Sequence, residues 1–378
     1  MVVRVGVVGT GNIGSQHILL LQSGKIKGAQ LAATASRSAS SLQTDVPHFK
    51  DYREMFSHAD INAVLIATPT MSHVEIAQAA IQCGLPIMME KPLAMSVGQA
   101  EKLLALVPDH LQFAIMLSQR FDPAYARLKQ LLMNNAIGNL QRIGWTMTKW
   151  YRPDIYYKVS RWRGTWPGEG GGLLINQCIH NLDVLQWLVG LPDSITAKVG
   201  FGKHHDIDVE DEVSAIMTFD NGAIGTLTAS SGEAPGVNRL EIVGDRGSLI
   251  LEHGVIDVLR ADENVRTHCR TTHEMFGMPV FDREVIEITE ESNQHAAVLQ
   301  NFVDSLEIGS ELLTPTEQGL GSLQLANGIL LSAWNNETVT VPIDTNQYEA
   351  RLQEKIHNAS LRAPKDLQVE TDMKKSYQ

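Results

Sequence analysis

The feature that most constrains this chain is a glycine pattern that directly follows a valine-rich run. Residues 2–8 are apolar in the way that is typical of a buried parallel strand. A helical segment begins after the next six residues. In such a strand–turn–helix unit the first glycine permits a tight turn, the second lets backbone approach a pyrophosphate, and the third allows close helix packing. The pattern therefore predicts a dinucleotide site at Gly9, Thr10, Gly11, Asn12, Ile13 and Gly14.

Strand-like and helical segments alternate along the first third of the chain. Short apolar runs at residues 30–35, 63–67, 86–89 and 112–117 are separated by helical periodicity, most clearly at residues 71–83 and 97–106. Strands joined by helices of about 12 residues are typical of a parallel, doubly wound sheet. We therefore predict an N-terminal Rossmann domain over residues 1–120, in a protein that combines α/β and α+β domains.

The pattern changes after residue 120. A predicted helix at residues 123–134 precedes longer alternating runs at residues 141–150, 195–202, 212–219, 223–230, 239–243, 248–251 and 255–259. These runs predict an open, mainly antiparallel β-sheet in an α+β domain over residues 121–345. One helix is predicted within it at residues 173–189, and helices at 293–306 and 315–334 are expected to close it. Residues 346–378 are polar and are expected to form a tail or arm.

Composition excludes several classes of function. The net charge of −12 argues against a general nucleic-acid surface, which requires a basic face. Three cysteines form neither a disulfide framework nor a paired-cysteine metal motif, and the histidines at 204 and 205 lack ligand spacing, so no metal is expected. No apolar run approaches 18 residues and the start does not resemble a signal peptide. We therefore expect no membrane partner and a reduced, cytoplasmic location.

The end of the second predicted strand bears on the choice of cofactor. An NAD-specific chain places an acid about 20 residues past the last glycine, where it binds the ribose 2′-hydroxyl. Here that place holds Ser36 and Arg37. A guanidinium can pair with a 2′-phosphate, so we expect NADP. The alternative is an NAD site that lacks its acid, with Arg37 an exposed loop residue.

Further motifs resemble one known family of enzymes. They are Ala67-Thr68-Pro69 with His73, then Glu90-Lys91-Pro92-Leu93-Ala94, then Arg120-Phe121-Asp122-Pro123, and finally Gly170-Gly171-Gly172 with Asn176, His180 and Asp183. Their order and spacing resemble the glucose–fructose oxidoreductase, inositol dehydrogenase and MocA family (Gfo/Idh/MocA) over residues 1 to about 345. The resemblance implies that Ala67, Thr68, Pro69, His73, Glu90, Lys91 and Pro92 surround the cofactor, with a cis bond before Pro92.

Two residues are the candidate catalytic groups. Lys91 follows a parallel strand at the edge where such folds bind ligands, and an ammonium there can polarise a substrate oxygen. His180 lies one helical turn after Asn176 on the predicted helix and is the candidate general base. Asn176, where the family commonly has Asp, and Arg120 are expected to position the substrate. Asn176, His180 and Asp183 are expected to share one helix face. An amide can orient the ring of His180 but cannot raise its basicity as a carboxylate would.

Residues 149–166 are rich in aromatic and basic side chains. Such side chains suit a polyhydroxylated, carboxylated or phosphorylated ring. The candidate substrate contacts there are Tyr151, Arg152, Tyr156, Trp162 and Arg163. The alternative is a loop packed at a subunit interface. The acidic run 210–212 is interpreted as structural.

Together these features predict an NAD(P)-dependent oxidoreductase. It is expected to transfer a hydride between nicotinamide and a secondary alcohol of a sugar, sugar derivative or inositol-like cyclitol. The alternatives are an NAD-dependent redox glycosidase, a nucleotide-sugar dehydrogenase and a non-enzymatic NADP-sensing regulator. The resemblance implies that the second domain binds substrate and also forms a homodimer or homotetramer through its sheet, whose uncovered face would leave apolar surface.

Overall fold

The computed structural model describes residues 2–37 and 44–363, so residues 364–378 of the predicted tail lie outside the described part of the chain. Its first sheet contains six parallel strands in the order β3-β2-β1-β4-β5-β6. These strands are β1 (Val3–Val8), β2 (Ala29–Ala35), β3 (His48–Phe49), β4 (Ala63–Ile66), β5 (Ile87–Met89) and β6 (Phe113–Ile115). The order reverses between β2 and β4 around β1, which is the arrangement of a Rossmann fold. The predicted parallel, doubly wound sheet is confirmed.

Four helices connect these strands. They are α1 (Asn12–Gln22), α2 (Tyr52–His58), α3 (His73–Gln82) and α4 (Val97–Leu104), with a short 3-10 helix at Thr70–Ser72. Local capping fixes two of the starts. The side chain of Asp51 accepts a hydrogen bond from the Arg53 N–H at α2, and that of Ser96 accepts one from the Gln99 N–H at α4. Helix α1 begins at Asn12 after the N-cap residue Gly11, and no side chain caps it, so its first N–H groups have no side-chain acceptor at the N-cap.

The second sheet has nine strands and is mostly antiparallel. Its order is β14-β13-β12-β11-β7-β10-β9-β8-β15, and only the β7–β10 pair is parallel. The strands are β7 (Leu140–Met147), β8 (Ser194–Phe201), β9 (Glu210–Thr218), β10 (Ile224–Ser230), β11 (Asn238–Gly244), β12 (Gly247–Glu252), β13 (Val255–Ala261), β14 (Phe281–Glu287) and β15 (Val339–Thr340). The predicted open, mainly antiparallel sheet is therefore confirmed.

The remaining helices follow residue 117 in the chain, and several of them pack against this second sheet. They are α5 (Pro123–Met133), α6 (Asp154–Lys158), α7 (Trp166–Glu169), α8 (Leu173–Asn176), α9 (Ile179–Val189), α10 (Val265–Thr271), α11 (Gln294–Glu307), α12 (Gly319–Asn335) and α13 (Thr345–His357), with 3-10 helices at Ser118–Phe121 and Thr316–Gln318. The long apolar helix α12 lies between α9 and β8 and is the main packing element of this layer.

Helix α11 departs from the predicted domain organisation. It was expected to close the second domain, but its apolar residues pack on the first sheet. Val298, Leu299 and Phe302 are buried in one cluster with Val5 and Val7 of β1. The sequence pattern shows an amphipathic helix correctly but does not show which sheet receives its apolar face.

The start of the predicted tail is an ordered helix. Residues 345–357 form α13, whose N-terminus is capped by the Asp344 side chain, an acceptor for the Gln347 N–H at 3.0 Å. Tyr348 and Leu352, one turn apart, are buried. The Tyr348 ring stacks on Trp334 with 5.2 Å between ring centroids. These two buried side chains dock an otherwise polar helix against the rest of the chain.

The helix predicted over residues 173–189 is split into α8 and α9. The Cys178 N–H bonds to the Leu173 carbonyl, five residues back, so the regular ladder is interrupted. The carbonyl oxygen of Asn176, which a continuous helix would direct to the N–H of residue 180, accepts a hydrogen bond from Lys91 Nζ at 2.9 Å. Asn176 and His180 are therefore not one face of a single helix.

No helix in the described part of the chain is long and apolar enough to cross a membrane.

Candidate active site

The glycine turn after β1 has the shape that a dinucleotide requires. Gly9 has a φ of +96°, and a Cβ there would lie 2.5 Å from the Ala67 carbonyl oxygen. A Cβ at Gly14 would lie 1.9 Å from the Gly9 carbonyl oxygen. A Cβ at Gly11 would meet nothing within 4 Å, so that glycine faces open space. Two glycines thus permit close packing, and the third leaves room beside the start of α1, so the turn fits a bound pyrophosphate.

The end of β2 faces this turn. Thr10 Oγ1 donates a hydrogen bond to Ser36 Oγ at 2.8 Å, which ties the glycine turn to the position where an NAD-specific acid would stand. Arg37 follows and is exposed. The structure therefore places both predicted cofactor-selecting residues next to the turn.

His73 contacts backbone on both sides of the predicted nicotinamide region. Its Nδ1 lies 2.8 Å from the Pro92 carbonyl oxygen and its Nε2 lies 2.8 Å from that of Thr68. The ring is buried, and burial lowers its pKa. His73 joins the loop after β4 to the loop after β5, so its contacts are with the protein backbone.

Lys91 lies at the carboxyl end of β5 and precedes a cis peptide bond to Pro92, as the resemblance implied. Its side chain reaches across to the second domain, where it holds the Asn176 carbonyl oxygen. The residue is half-buried, and loss of hydration lowers its pKa, against the opposing charges of Glu90 and Glu169. A lysine with a lowered pKa is a better proton exchanger near neutral pH than a free lysine.

His180 opens the first turn of α9 and is buried. Burial and the nearby Lys91 charge lower its pKa well below the usual 6.5. Among the described residues, its Nδ1 has no hydrogen-bond partner. The ring is therefore neutral at physiological pH and can accept a proton.

Glu90, the residue before Lys91, forms a buried hydrogen-bonded pair with a histidine. Glu90 Oε1 and His17 Nε2 are 2.7 Å apart, and the His17 ring centroid is 5.7 Å from that of His295. Burial opposes ionisation of Glu90, but the His17 hydrogen bond and the charges of His17, His295 and Lys91 together lower its pKa to about 2. His17 and His295 were not found from the sequence, because single histidines in helical segments carry no distinguishing pattern.

The segment at residues 149–166 contacts the Asn176 side chain through Tyr156. The Asn176 Nδ2 donates to the Tyr156 hydroxyl at 3.3 Å. The Arg163 guanidinium carbon lies 4.3 Å from the Tyr156 ring centroid and 5.0 Å from that of Trp162, and that of Arg152 lies 5.4 Å from Tyr156. The structure thus brings four of the five predicted loop contacts together beside Asn176.

Tyr151 differs from the other predicted loop contacts. Its side chain is exposed, and its carbonyl oxygen accepts a hydrogen bond from Arg152 Nη1 at 2.9 Å.

Arg120 is placed in a structural ion pair. Its Nε and Nη2 donate to the two carboxylate oxygens of Asp183 at 2.8 and 2.6 Å, and its Nη1 donates to Gln318. Both side chains of the pair are buried, with 6% and 1% exposed. The pair joins the Ser118–Phe121 turn to α9, and the guanidinium donates these three hydrogen bonds to protein groups. Its contact with the substrate stays a prediction.

One residue of this region was missed from the sequence. Glu169, at the end of α7, is 2% exposed and its carboxylate accepts hydrogen bonds from Asn176 Nδ2 and, at 2.6 Å, from the Gly164 N–H. The available signal was an acid directly before the three glycines in a chain with an amide at position 176.

The acidic run 210–212 supports backbone. Glu210 accepts hydrogen bonds from the N–H groups of Gly172 and Leu174 at 2.8 and 2.9 Å, which fixes the start of α8. Asp211 accepts from the N–H groups of Lys203, His204 and His205. Within residues 2–37 and 44–363, no group of three or more His, Cys, Asp or Glu side chains could hold a metal ion.

Three features together define the class of an NAD-binding oxidoreductase. They are a Rossmann sheet with an open glycine turn, a lysine at the edge of β5, and a buried histidine whose pKa is lowered by burial and by the charge of that lysine. Comparisons with known proteins agree. Residues 3–115 match the model described as the oxidoreductase family with an NAD-binding Rossmann fold. Residues 125–250 match the GFO/IDH/MocA C-terminal domain. Together the two models match more than half of the chain, which belongs to the Gfo/Idh/MocA family.

Several relatives are named dehydrogenases. The chain is 24% identical over 357 residues to the inositol 2-dehydrogenase of Rhizobium meliloti, covering 90% of this chain and 100% of the relative. It is 29% identical over 287 residues to the NAD⁺-dependent scyllo-inositol 2-dehydrogenase of Bacillus subtilis, covering 68% and 77%. Among solved structures, levoglucosan dehydrogenase in complex with NADH and L-sorbose has a TM-score of 0.76 at 21% identity, covering 90% and 99%. That last likeness supports the fold.

Proposed function

We propose that this oxidoreductase transfers a hydride between the nicotinamide of NAD(P) and a secondary alcohol of a sugar, sugar derivative or inositol-like cyclitol. The observation that carries the proposal is the contact between Lys91 Nζ and the Asn176 carbonyl oxygen. It brings the end of β5 to the end of α8, four residues before His180 in the chain.

The residues divide the chemistry between them. Bound nicotinamide supplies the hydride acceptor or donor. The Lys91 ammonium polarises the substrate oxygen and stabilises negative charge that develops on it. His180, neutral because it is buried beside Lys91, accepts the hydroxyl proton during alcohol oxidation and returns it during reduction. Asn176 hydrogen-bonds a neighbouring substrate hydroxyl.

The substrate class rests on the loop residues and the relatives. Tyr156 and Trp162 offer flat faces, and Arg152 and Arg163 stacked on them offer planar donors for hydroxyl or carboxylate groups. The named relatives include inositol and levoglucosan dehydrogenases. Polyols with several adjacent hydroxyls match this combination of stacking surfaces and donors.

A substrate panel with matched variants tests the proposal. NAD⁺ and NADP⁺ reduction is followed at 340 nm with inositols, aldoses, anhydrosugars and sugar acids. Lys91→Ala and His180→Ala are expected to lower kcat by about 10²- to 10⁴-fold while dinucleotide binding changes little. Glu101→Gln, an exposed position on α4, serves as the control. Turnover near the wild-type rate in folded Lys91→Ala protein would overturn the mechanism.

We further propose that the cofactor is NADP rather than NAD. Ser36 stands where an NAD-specific acid would repel a 2′-phosphate, and Arg37 beside it can form a charge-assisted pair with that phosphate. A well-aligned pair is worth about 1.5–3 kcal/mol, or roughly 10- to 100-fold in affinity. Arg37→Ala should weaken NADP binding far more than NAD binding, and Ser36→Asp should favour NAD. Tighter NAD binding by the wild type, unchanged in Arg37→Ala, would refute this assignment.

We also propose that the chain forms a homodimer or homotetramer through the second sheet. Ile216 and Ile224 are exposed on its uncovered face, and Met275 and Phe276 are exposed on the loop before β14. Apolar side chains on an uncovered sheet face usually find a partner. Light scattering at micromolar concentration should report a dimer or tetramer, and a monomer at that concentration would contradict the proposal.

A further inference from the structure

The site has an amide at position 176 and a buried carboxyl group next to it. Glu169 ends the short helix α7, which Thr165 caps and Gly170 terminates with a φ of +74°. One carboxylate oxygen accepts from the Gly164 N–H and the other accepts from Asn176 Nδ2. Asn176 Nδ2 also donates to the Tyr156 hydroxyl, so both of these side-chain hydrogen bonds of Asn176 are made by the amide nitrogen. The Oδ1 atom is therefore left as the acceptor that a substrate hydroxyl would meet.

The ionisation of Glu169 is set by its surroundings. The charged or titratable groups that interact with it include Lys91, Arg163, Glu210 and Tyr157. The helix α13, which packs against α7, carries the titratable residues Tyr348 and Glu349. Burial raises the pKa of Glu169 to about 8, opposed by the Gly164 N–H, the Arg163 charge and the Asn176 amide. Glu169 therefore changes charge in the pH range in which dehydrogenases work.

We propose that Glu169 is the positioning residue that supplies, from α7, the negative charge absent at position 176. In its ionised form it can only accept hydrogen bonds, so it holds the Asn176 amide with Nδ2 toward itself and Oδ1 toward the substrate. The same charge stabilises the Lys91 ammonium. When protonated, the carboxyl group can donate to Oδ1 instead and reverse the amide. This inference rests on the proposed dehydrogenase function and deepens it.

The first test is the pH profile of alcohol oxidation on whichever polyol the panel identifies. For the wild type, kcat should rise as the pH passes through about 8, because the ionised form of Glu169 is the active one. His180 is already neutral in this range and adds no rise. In Glu169→Gln, kcat should fall about 10- to 100-fold, the rise should disappear, and the KM for dinucleotide should change little. An unchanged profile with kcat within about twofold of wild type would overturn the proposal.

Moving the charge separates positioning from folding. Asn176→Asp alone places two carboxylates side by side, so we expect lower kcat. The double variant Glu169→Gln/Asn176→Asp restores a single carboxylate at the neighbouring position and should recover much of the activity lost in Glu169→Gln. A merely structural Glu169 would give no such rescue. If Glu169→Gln does not fold, Glu169→Asp keeps the charge and should retain the rise in kcat near pH 8, and its loss there would count against the proposal.

A second measurement needs no substrate. The pKa of the Lys91 amine can be obtained by competitive acetylation with acetic anhydride across a pH series, read by mass spectrometry. Loss of the Glu169 charge should lower the pKa of Lys91, because that charge favours the ammonium, whereas Glu101→Gln should leave the pKa unchanged. A shift without turnover on any polyol would count against the proposed function while supporting the Glu169–Lys91 coupling. An identical Lys91 pKa in wild type and Glu169→Gln would overturn the coupling.

Discussion

Arg120 and Asp183 offer a direct test of the structure, because sequence and structure assign Arg120 different roles. The perturbation is Arg120→Met, which keeps most of the side-chain volume and removes the charge. It eliminates the two hydrogen bonds to Asp183, at 2.8 and 2.6 Å, and the one to Gln318, and it leaves the buried Asp183 carboxylate without its cation. Such bonds contribute about 1.5–3 kcal/mol each, and breaking a buried pair typically costs about 3–5 kcal/mol.

Unfolding in urea, followed by tryptophan fluorescence, measures the effect. With a slope of about 3 kcal/mol per M, a loss of about 4 kcal/mol lowers the midpoint by roughly 1–1.5 M. Arg120→Met/Asp183→Leu removes both charges and should recover a large part of that loss, since apolar replacement of a buried pair is often neutral. The two single variants and the double variant form a cycle that isolates the pair energy.

The outcome distinguishes the two roles of Arg120. If it stabilises the fold, the midpoint falls and the KM for substrate stays near the wild-type value in the folded fraction. An unchanged midpoint together with a large rise in the KM for polyol would refute the structural reasoning and restore the substrate contact expected from the sequence.

Two further predictions concern acid stability and the glycine turn. The pKa of Glu90 is about 2 in the folded protein, against a usual 4.5. This difference corresponds to roughly 3 kcal/mol of folding stability that is present above pH 4.5 and is lost as the pH falls toward 2. In Glu90→Gln the urea midpoint should therefore depend less on pH between pH 6 and 3, and a dependence as steep as that of the wild type would contradict the assignment. Gly14→Ala should lower both stability and dinucleotide binding, because its Cβ would overlap the Gly9 carbonyl oxygen. Gly11→Ala should change stability by less than about 0.5 kcal/mol. It should still weaken NADPH binding about tenfold in a fluorescence titration. If both variants bind NADPH as tightly as the wild type, the placement of the pyrophosphate is contradicted.

Much of the fold could be predicted because its signals are local. The apolar run before Gly9 and the alternation of short apolar runs with helices identify a parallel sheet, because a strand that is buried on both faces has an apolar sequence. The position of Lys91 at the end of a strand follows from the short apolar run that precedes it in the sequence. Motif spacing carried the family and placed Lys91, His180 and the glycine turn in one region.

The partners of the individual side chains were decided only by the tertiary structure. Periodicity shows that α11 has an apolar face, but the path of the chain determines that this face covers the first sheet. At the break between α8 and α9, the Asn176 carbonyl oxygen is bonded by Lys91, 85 residues away, and Arg120 pairs with Asp183, 63 residues away. Glu169 bonds to the Asn176 amide across the glycines that separate α7 from α8. A local pattern fixes which groups are buried, and the long-range packing fixes which charges and donors then satisfy them.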